Sequence, residues 1–263
     1  GATSPPDGAV LAGLGGCLAC HTARDGDPGA GGHAIETEFG TFYGTNITPD
    51  PERGIGRWTF DDFERAMRHG RSPGGAPYWP AFPWPSFSQL TDVDLHLLWD
   101  WLGTLPPSSR ANTPHALERG YRGRGKAGLW RTFVHRPRQV LPHDPEWSDS
   151  ARRGAYLVHT IGHCGGCHTP RTRLGRQDAR HPFAGSDAPP HGAPNLTPHP
   201  DGLAEWSEGD WETFFELGML PDGDFAGSGM GRVVSEGTAL LSDADRAAII
   251  TYLTQLAPLP TAE

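Results

Sequence analysis

The sequence predicts an all-α protein: two tandem copies of one three-helix domain, at 1–108 and 151–263, joined by an ordered but irregular connector at 109–150. Three observations predict it. The pentapeptide C-L-A-C-H (Cys17, Cys20, His21) returns 147 residues later as C-G-G-C-H (Cys164, Cys167, His168), and these are the only four cysteines in 263 residues. The surroundings repeat at nearly the same interval, Asn46-Ile47-Thr48-Pro49 as Asn195-Leu196-Thr197-Pro198, Trp58 to Glu64 as Trp206 to Glu212, and Gly70 as Gly218. Each copy also carries three helix signals at matching places.

In chain order, a helical segment precedes each pentapeptide, Asp7 to Leu14 in the first copy and Ala151 to Ile161 in the second. The middle helix opens at Thr59 with Asp62, and at Ser207 with Asp210. A hydroxyl there caps the third amide while the third residue's carboxylate reaches back, and the helix stops at Gly70 or Gly218. The last helix opens at Thr91 with Asp94 and at Ser242 with Asp245, and ends before Pro106 or Pro258. The connector holds Pro137, Pro142 and Pro145, but also Leu129, Trp130, Phe133 and Val134. It is therefore expected to pack on the domains and not to behave as a loose tether.

The pentapeptide carries specific chemistry. Two thiols three positions apart on one short turn form thioethers to the two vinyl groups of a single haem, and the adjacent histidine reaches the iron. A redox dithiol or a split four-cysteine zinc site would leave both histidines unexplained, and zinc sites of this kind use other spacings. Two covalently bound haem c groups are expected, held by Cys17, Cys20 and His21 and by Cys164, Cys167 and His168. Three helices around a haem, joined by Gly/Pro-rich loops, is the class I cytochrome c plan.

Composition fits. Apolar residues make up only 36% while 36 Gly and 26 Pro demand long irregular segments, so each protein core is thin and the haem supplies apolar mass. No run of 18 apolar residues occurs, so the sequence predicts no membrane span. The chain starts at Gly1 without Met, and the expectation is a removed signal peptide or anchor, with Gly-Ala-Thr-Ser left from processing or cloning. Haem attachment to such motifs places the protein in the periplasm. The net charge is −9, yet between Ser109 and Val140 eight basic residues face one acid, Glu118. Pairing with acidic surfaces or haem propionates accounts for that belt, and nucleic acid is not an expected partner. Of 22 basic residues all but Lys126 are arginine, which favours fixed bidentate pairs.

Above the second iron the candidate is Met230, in Gly-Ser-Gly-Met-Gly between the middle and last helices, where a thioether on a loop raises the potential. Met219 and Met67 read as packing. The first copy breaks the pattern: Gly218 to Met230 is 12 residues, and Gly70 plus 12 is Phe82, which binds no iron. The first haem is thus either five-coordinate under an aromatic lid of Tyr78, Trp79, Phe82 and Trp84, or bound by a histidine. His69 at the end of the middle helix is the first candidate and His33 a weaker one; His69 also reads as a C-terminal residue meeting the helix dipole or a propionate. Trp58 and Trp206 are matched candidates for indole bonds to propionates, or for packing. The N-x-T triplets at Asn46 and Asn195 read as structure of the haem loop and not as glycosylation sites.

The segments G-T-F-Y-G-T-N-I-T-P-D-P-E-R-G-I-G-R-W-T-F-D-D-F-E-R-A-M-R-H-G and R-R-G-A-Y-L-V-H-T-I-G-H-C-G-G-C-H-T-P resemble the multihaem cytochrome c subunits of membrane-bound bacterial alcohol, aldehyde and gluconate dehydrogenases. Related cytochromes accompany molybdenum hydroxylases. The resemblance covers nearly the whole chain and implies electron transfer: a partner dehydrogenase, periplasmic or membrane-bound, oxidises the substrate, and the cytochrome passes electrons to a downstream acceptor of the respiratory chain. Two departures stand out. The family's usual subunits carry three haems where this chain has two motifs. The family also places Met in a Pro-Ala-Met-Pro segment where this chain has Pro80-Ala81-Phe82-Pro83, and it often keeps Arg-His-Gly at the middle helix end while using Met as ligand.

The expected function is a carrier without substrate chemistry of its own. The alternatives are a dihaem oxidoreductase, of peroxidase or thiosulfate type, or a small-gas binder, either using an open or unusually ligated first haem. A catalytic pocket wants a polar acid/base group over the iron. The run Tyr78-Trp79-Pro80-Ala81-Phe82-Pro83-Trp84-Pro85 supplies mainly aromatic rings, which favours the carrier.

Overall fold

The computed structural model describes residues 7–121, 127–129, 132, 141–187 and 192–262. Contacts divide them into two compact units, one holding residues 7–12 and those from 16 to 132, the other 13–15 and those from 141 onward.

The first unit uses α1 (Gly8–Leu14) as far as Ala12, α2 (Cys17–His21), α3 (Phe60–His69), α4 (Trp84–Phe87) and α5 (Asp92–Gly103). It also contains a small antiparallel sheet, β1 (Ala34–Thr37), β2 (Gly40–Tyr43) and β3 (Ala116–Leu117), in the order β1-β2-β3. The all-α expectation is corrected here. The register pairs Ala34 with Tyr43, Thr37 with Gly40, and Gly40 with Leu117. The strands form because Thr37 Oγ1 closes the turn by donating to Gly40 O at 2.7 Å, and because Gly40, at φ 111°, lets two backbones approach. A Cβ there would lie 2.5 Å from Ala116 O. Only Phe42 among the four residues of β2 is buried, so no alternating apolar pattern advertises the sheet.

The second unit contains α6 (Asp149–Tyr156), which runs into a π-helical turn at Leu157–Ile161, then α7 (Gly165–His168), α8 (Glu208–Leu217), α9 (Ser228–Glu236), a 3-10 turn at Thr238–Leu240, and α10 (Asp243–Leu253). No helix among the described residues is long and apolar enough to cross a membrane.

The middle helices behave as their caps predict. Thr59 and Ser207 each accept the third amide and receive a carboxylate in return, closing full capping boxes. Both helices end in a left-handed glycine, Gly70 at φ 54° and Gly218 at φ 73°. Thr91 and Ser242 cap α5 and α10 by accepting from Asp94 N and Asp245 N.

In each unit the first and last helices cross at a glycine. A Cβ on Gly8 would sit 2.2 Å from Leu97 O, and one on Gly154 1.9 Å from Ala248 O, so only a bare backbone permits the approach. Around the crossings Leu11, Leu95 and Leu98, and in the second unit Leu157, Val158 and Ile249, are buried. Each such side chain contributes about 2 kcal/mol.

The connector departs from expectation at Leu129, which is 58% exposed, whereas Ala127 is buried. A short helical turn carries both side chains, and the smaller one takes the inward position. Trp130, Phe133 and Val134 lie outside the described residues, as do Arg122, Arg124, Lys126, Arg131, Arg136 and Arg138 of the basic belt.

Candidate haem sites

Each pentapeptide sits on one short helix. Cys17, Cys20 and His21 lie on α2, and Cys164 caps α7, which carries Cys167 and His168. Each is entered through a left-handed residue, Gly16 at φ 65° and His163 at φ 37°. Glycine takes that conformation freely, while histidine takes it with strain.

The histidines are held alike. His21 Nδ1 lies 2.6 Å from Thr45 O, and His168 Nδ1 lies 2.8 Å from Pro194 O. An Nδ1–H donated to a carbonyl fixes the tautomer and leaves the Nε2 lone pair free. Burial holds both imidazoles below the usual histidine value, so they stay neutral as a metal ligand must.

Directly after each anchoring carbonyl comes the N-x-T triplet. Asn46 and Asn195 are 2% and 1% exposed, which excludes them as glycan carriers in the folded chain. Asn46 Oδ1 accepts from Thr48 N at 3.0 Å while its Nδ2 donates to Ser108 O at 2.7 Å and Arg110 O at 3.0 Å. Asn195 Oδ1 accepts from Thr197 N at 2.8 Å and its Nδ2 donates to Leu259 O at 2.8 Å. The carboxamide therefore ties the histidine's carbonyl to the segment that follows the last helix of the same unit.

Burial pushes the Cys17 and Cys164 thiols up to about 12. A redox dithiol needs the reverse, a depressed value that exposes a thiolate. No group of three or more His, Cys, Asp or Glu side chains placed to hold a metal ion occurs among the described residues, so the zinc alternative has no ligand set there.

The second-axial candidates are placed differently. Met230 is half-buried in the first turn of α9 and so stands on a helix, not on the loop its glycine neighbours predict. Glycine's low propensity is overridden by packing of α9 against α8 and the 3-10 turn, with Val234 3% exposed. Phe82 lies in the turn before α4, its ring 5.8 Å from both Tyr78 and Phe87. Trp84 is 3% exposed and packed on Gly70, where a Cβ would meet its ring at 2.4 Å. His69 is exposed at the end of α3. His33 O accepts Gly44 N at 2.9 Å, one residue before the Thr45 carbonyl. Met67 is buried in α3. Trp206 packs on Trp211 at 5.1 Å and Phe214 at 5.2 Å, and Trp58 is half-buried just before α3.

Sequence reasoning passed over Thr45 and Pro194, which act through their carbonyls and so leave no side-chain signature; the adjacent N-x-T is the signal that marks them. It also passed over His159, on the π-helical turn, whose Nε2 lies 2.5 Å from the Tyr252 hydroxyl.

Paired thiols beside a neutral imidazole with a free Nε2 fit thioether attachment and iron ligation, and with the helical frame they define the class, a c-type cytochrome. The cytochrome c family model matches residues 151–257. A "Diheme cytochrome c-type" protein of Cereibacter sphaeroides is 41% identical over 246 residues, covering 91% of this chain and 81% of that protein. The "Alcohol dehydrogenase (quinone), cytochrome c subunit" of Gluconacetobacter polyoxogenes is 39% identical over 266 residues, covering 97% of this chain and 56% of the relative. The "Gluconate 2-dehydrogenase cytochrome c subunit" of Pantoea cypripedii is 37% identical over 259 residues, 95% of this chain and 58% of the relative. The chain belongs to the family of multihaem cytochrome c subunits of bacterial dehydrogenases. As a member it binds haem c covalently, and it spans little more than half the length of the two dehydrogenase subunits.

Proposed function

We propose that this chain is a dihaem electron carrier of the bacterial periplasm, taking electrons one at a time from a partner dehydrogenase and passing them to a respiratory acceptor, with no substrate chemistry of its own. The observation that carries the reading is the duplicated imidazole anchor, His21 on Thr45 O and His168 on Pro194 O, each beside its own pair of cysteines. Cys17 and Cys20 hold one haem and Cys164 and Cys167 the other. When bound, haem supplies a one-electron ferric/ferrous couple.

The residues set how each couple is tuned. Met230 is the second axial ligand in the C-terminal unit, which favours the reduced state there. In the N-terminal unit Phe82 occupies the matching place, and the rings that touch it, Tyr78 and Phe87, give no carboxylate or imidazole for peroxide or thiosulfate chemistry. His69 is too exposed to be the ligand chosen first. Trp206, beside Trp211 and Phe214, and Trp58, just before α3, are the indoles offered to the propionates. The family relatives named as dehydrogenase subunits support the choice of partner.

The test is a mass measurement joined to a potentiometric titration. Two covalent haems and two one-electron waves are expected, only one of them with a methionine-to-iron charge-transfer band. A mass with one haem, or methionine bands on both, removes the reading.

A further inference from the structure

One loop differs between the units by more than a side chain. His21 O accepts Gly31 N at 2.7 Å and His168 O accepts Gly185 N at 3.0 Å, so the same bond closes the loop after each pentapeptide. The first loop returns after ten residues and the second after seventeen. The added length is ordered: Thr172 N donates to Arg176 O and Gly175 N to Thr172 O, both at 2.8 Å. Arg171 braces it, with Nη1 on Gly175 O at 3.0 Å and Nη2 on Gly166 O at 2.8 Å.

That loop reverses the local charge. Between His21 and Gly31 stand Arg24, Asp25 and Asp27; between His168 and Gly185 stand Arg171, Arg173, Arg176 and Arg180 against Asp178 alone. The first sums to −1 and the second to +3, in a chain of −9. Arg180 is committed to Asp178 through Nη2–Oδ2 at 2.7 Å. Arg173 and Arg176 are exposed, and neither forms an ion pair among the described residues. Leu174 between them is 63% exposed. Arg171, Arg173, Arg180 and His181 line an open cleft of about 460 Å³. The patch adjoins Cys167, the one exposed cysteine of the four, through the Arg171 bond to Gly166.

We infer that the loop from Thr169 to Pro182 is the docking face for a redox protein that surrounds its electron-transfer site with carboxylates. The inference rests on the reading that Cys164 and Cys167 hold a haem, because only then does the patch flank an electron exit. Charge selects the occupant. Unpaired arginine forks match carboxylates bidentately, an exposed leucine at their centre gives the apolar middle of a small interface, and a positive patch on an acidic chain steers an acidic partner into one orientation.

The test uses the holoprotein and two probes, a fluorescent polyglutamate peptide for binding and hexacyanoferrate(III) for electron transfer. At low ionic strength the peptide is expected to bind and to shift amide resonances in 170–181 but not in 22–30. The double change Arg173→Glu with Arg176→Glu is expected to weaken binding roughly tenfold and to slow oxidation of the C-terminal haem by a similar factor. The glutamine pair gives an intermediate loss, which guards against a folding defect in the glutamate pair. About 0.15 M salt removes most of the difference. Unchanged binding in both variants, or shifts centred on 22–30, overturns the inference. So does a low-salt dimer that the variants abolish, which would assign the patch to a second copy of this chain. A peptide spanning Cys164 to His168 that lacks haem mass would instead overturn the haem reading, whatever the loop binds.

Discussion

Where the C-terminal unit places Met230, on the first turn of α9, the N-terminal unit places Phe82, boxed by Tyr78 and Phe87. Before that exchange the backbones share their loop bonds. Tyr78 N donates to Gly70 O and Ala226 N to Gly218 O, both at 2.8 Å, and Ile55 N and Leu203 N return to the threonines of their N-x-T triplets at 2.9 and 3.0 Å. The helix crossings share a glycine but differ beside it, Trp101 in one unit standing where the other has Tyr252, which is hydrogen-bonded to His159. The anchoring bonds around the two pentapeptides are thus alike, and the units differ at Met230 and Phe82, at the His159–Tyr252 pair and in one loop.

The comparison breaks or sharpens by mutation. The largest effect belongs to the axial position: Met230→Ala is expected to abolish the charge-transfer band and lower one potential by the order of 100 mV, within the ~0.8 V over which axial ligands act. Phe82→Met is expected to raise the other potential, and spectra of both variants decide whether the two positions are equivalent. Next come the clamps. Asn46→Ala and Asn195→Ala strip buried donors and acceptors of their partners, and each is expected to cost about 3 kcal/mol in urea unfolding. A harmless change in one unit alone would show that the clamps are not alike.

A third effect separates the units by pH. Burial lowers His159 to about 4, against 6.5 for an unfolded chain, so the unfolded state takes up its proton first as pH falls. Its contribution is complete above about 6.5 and is lost progressively toward 4, by up to ~3 kcal/mol. Melting curves of the C-terminal unit should steepen in that window, and His159→Phe should flatten them, while the N-terminal unit, whose α1 holds no histidine, lacks this source of acid sensitivity. Smallest are the caps: Thr59→Ala and Ser207→Ala are each expected to cost ~1 kcal/mol, equally, by calorimetry.

Much of this was legible in the sequence because it is written in local rules. The pentapeptides, the four capped helices and the glycine stops of the two middle ones need only three to twelve residues of context. The sheet was not legible, since β3 is two residues long and its partner β2 buries one side chain, leaving no period to read. The helix under Met230 was hidden by four glycines, Gly223, Gly227, Gly229 and Gly231, whose propensity argues for a loop and loses to packing. The anchoring carbonyls were invisible for a deeper reason: a backbone oxygen is the same in every residue, and only its place in space gives it a role. The arginine loop was in plain view, but its excess length appears only when matched hydrogen bonds define where each loop closes.

The Asn46 and Asn195 clamps also impose an order in time. Their partners lie 62 and 64 residues further along, at Ser108 and Leu259, so neither clamp can close until that stretch of chain has been made. Each cysteine pair therefore emerges on an unfinished domain, its thiols not yet shut in and its histidine not yet locked to a carbonyl. Covalent attachment has a natural interval in which to occur, and the closing of the clamp ends it.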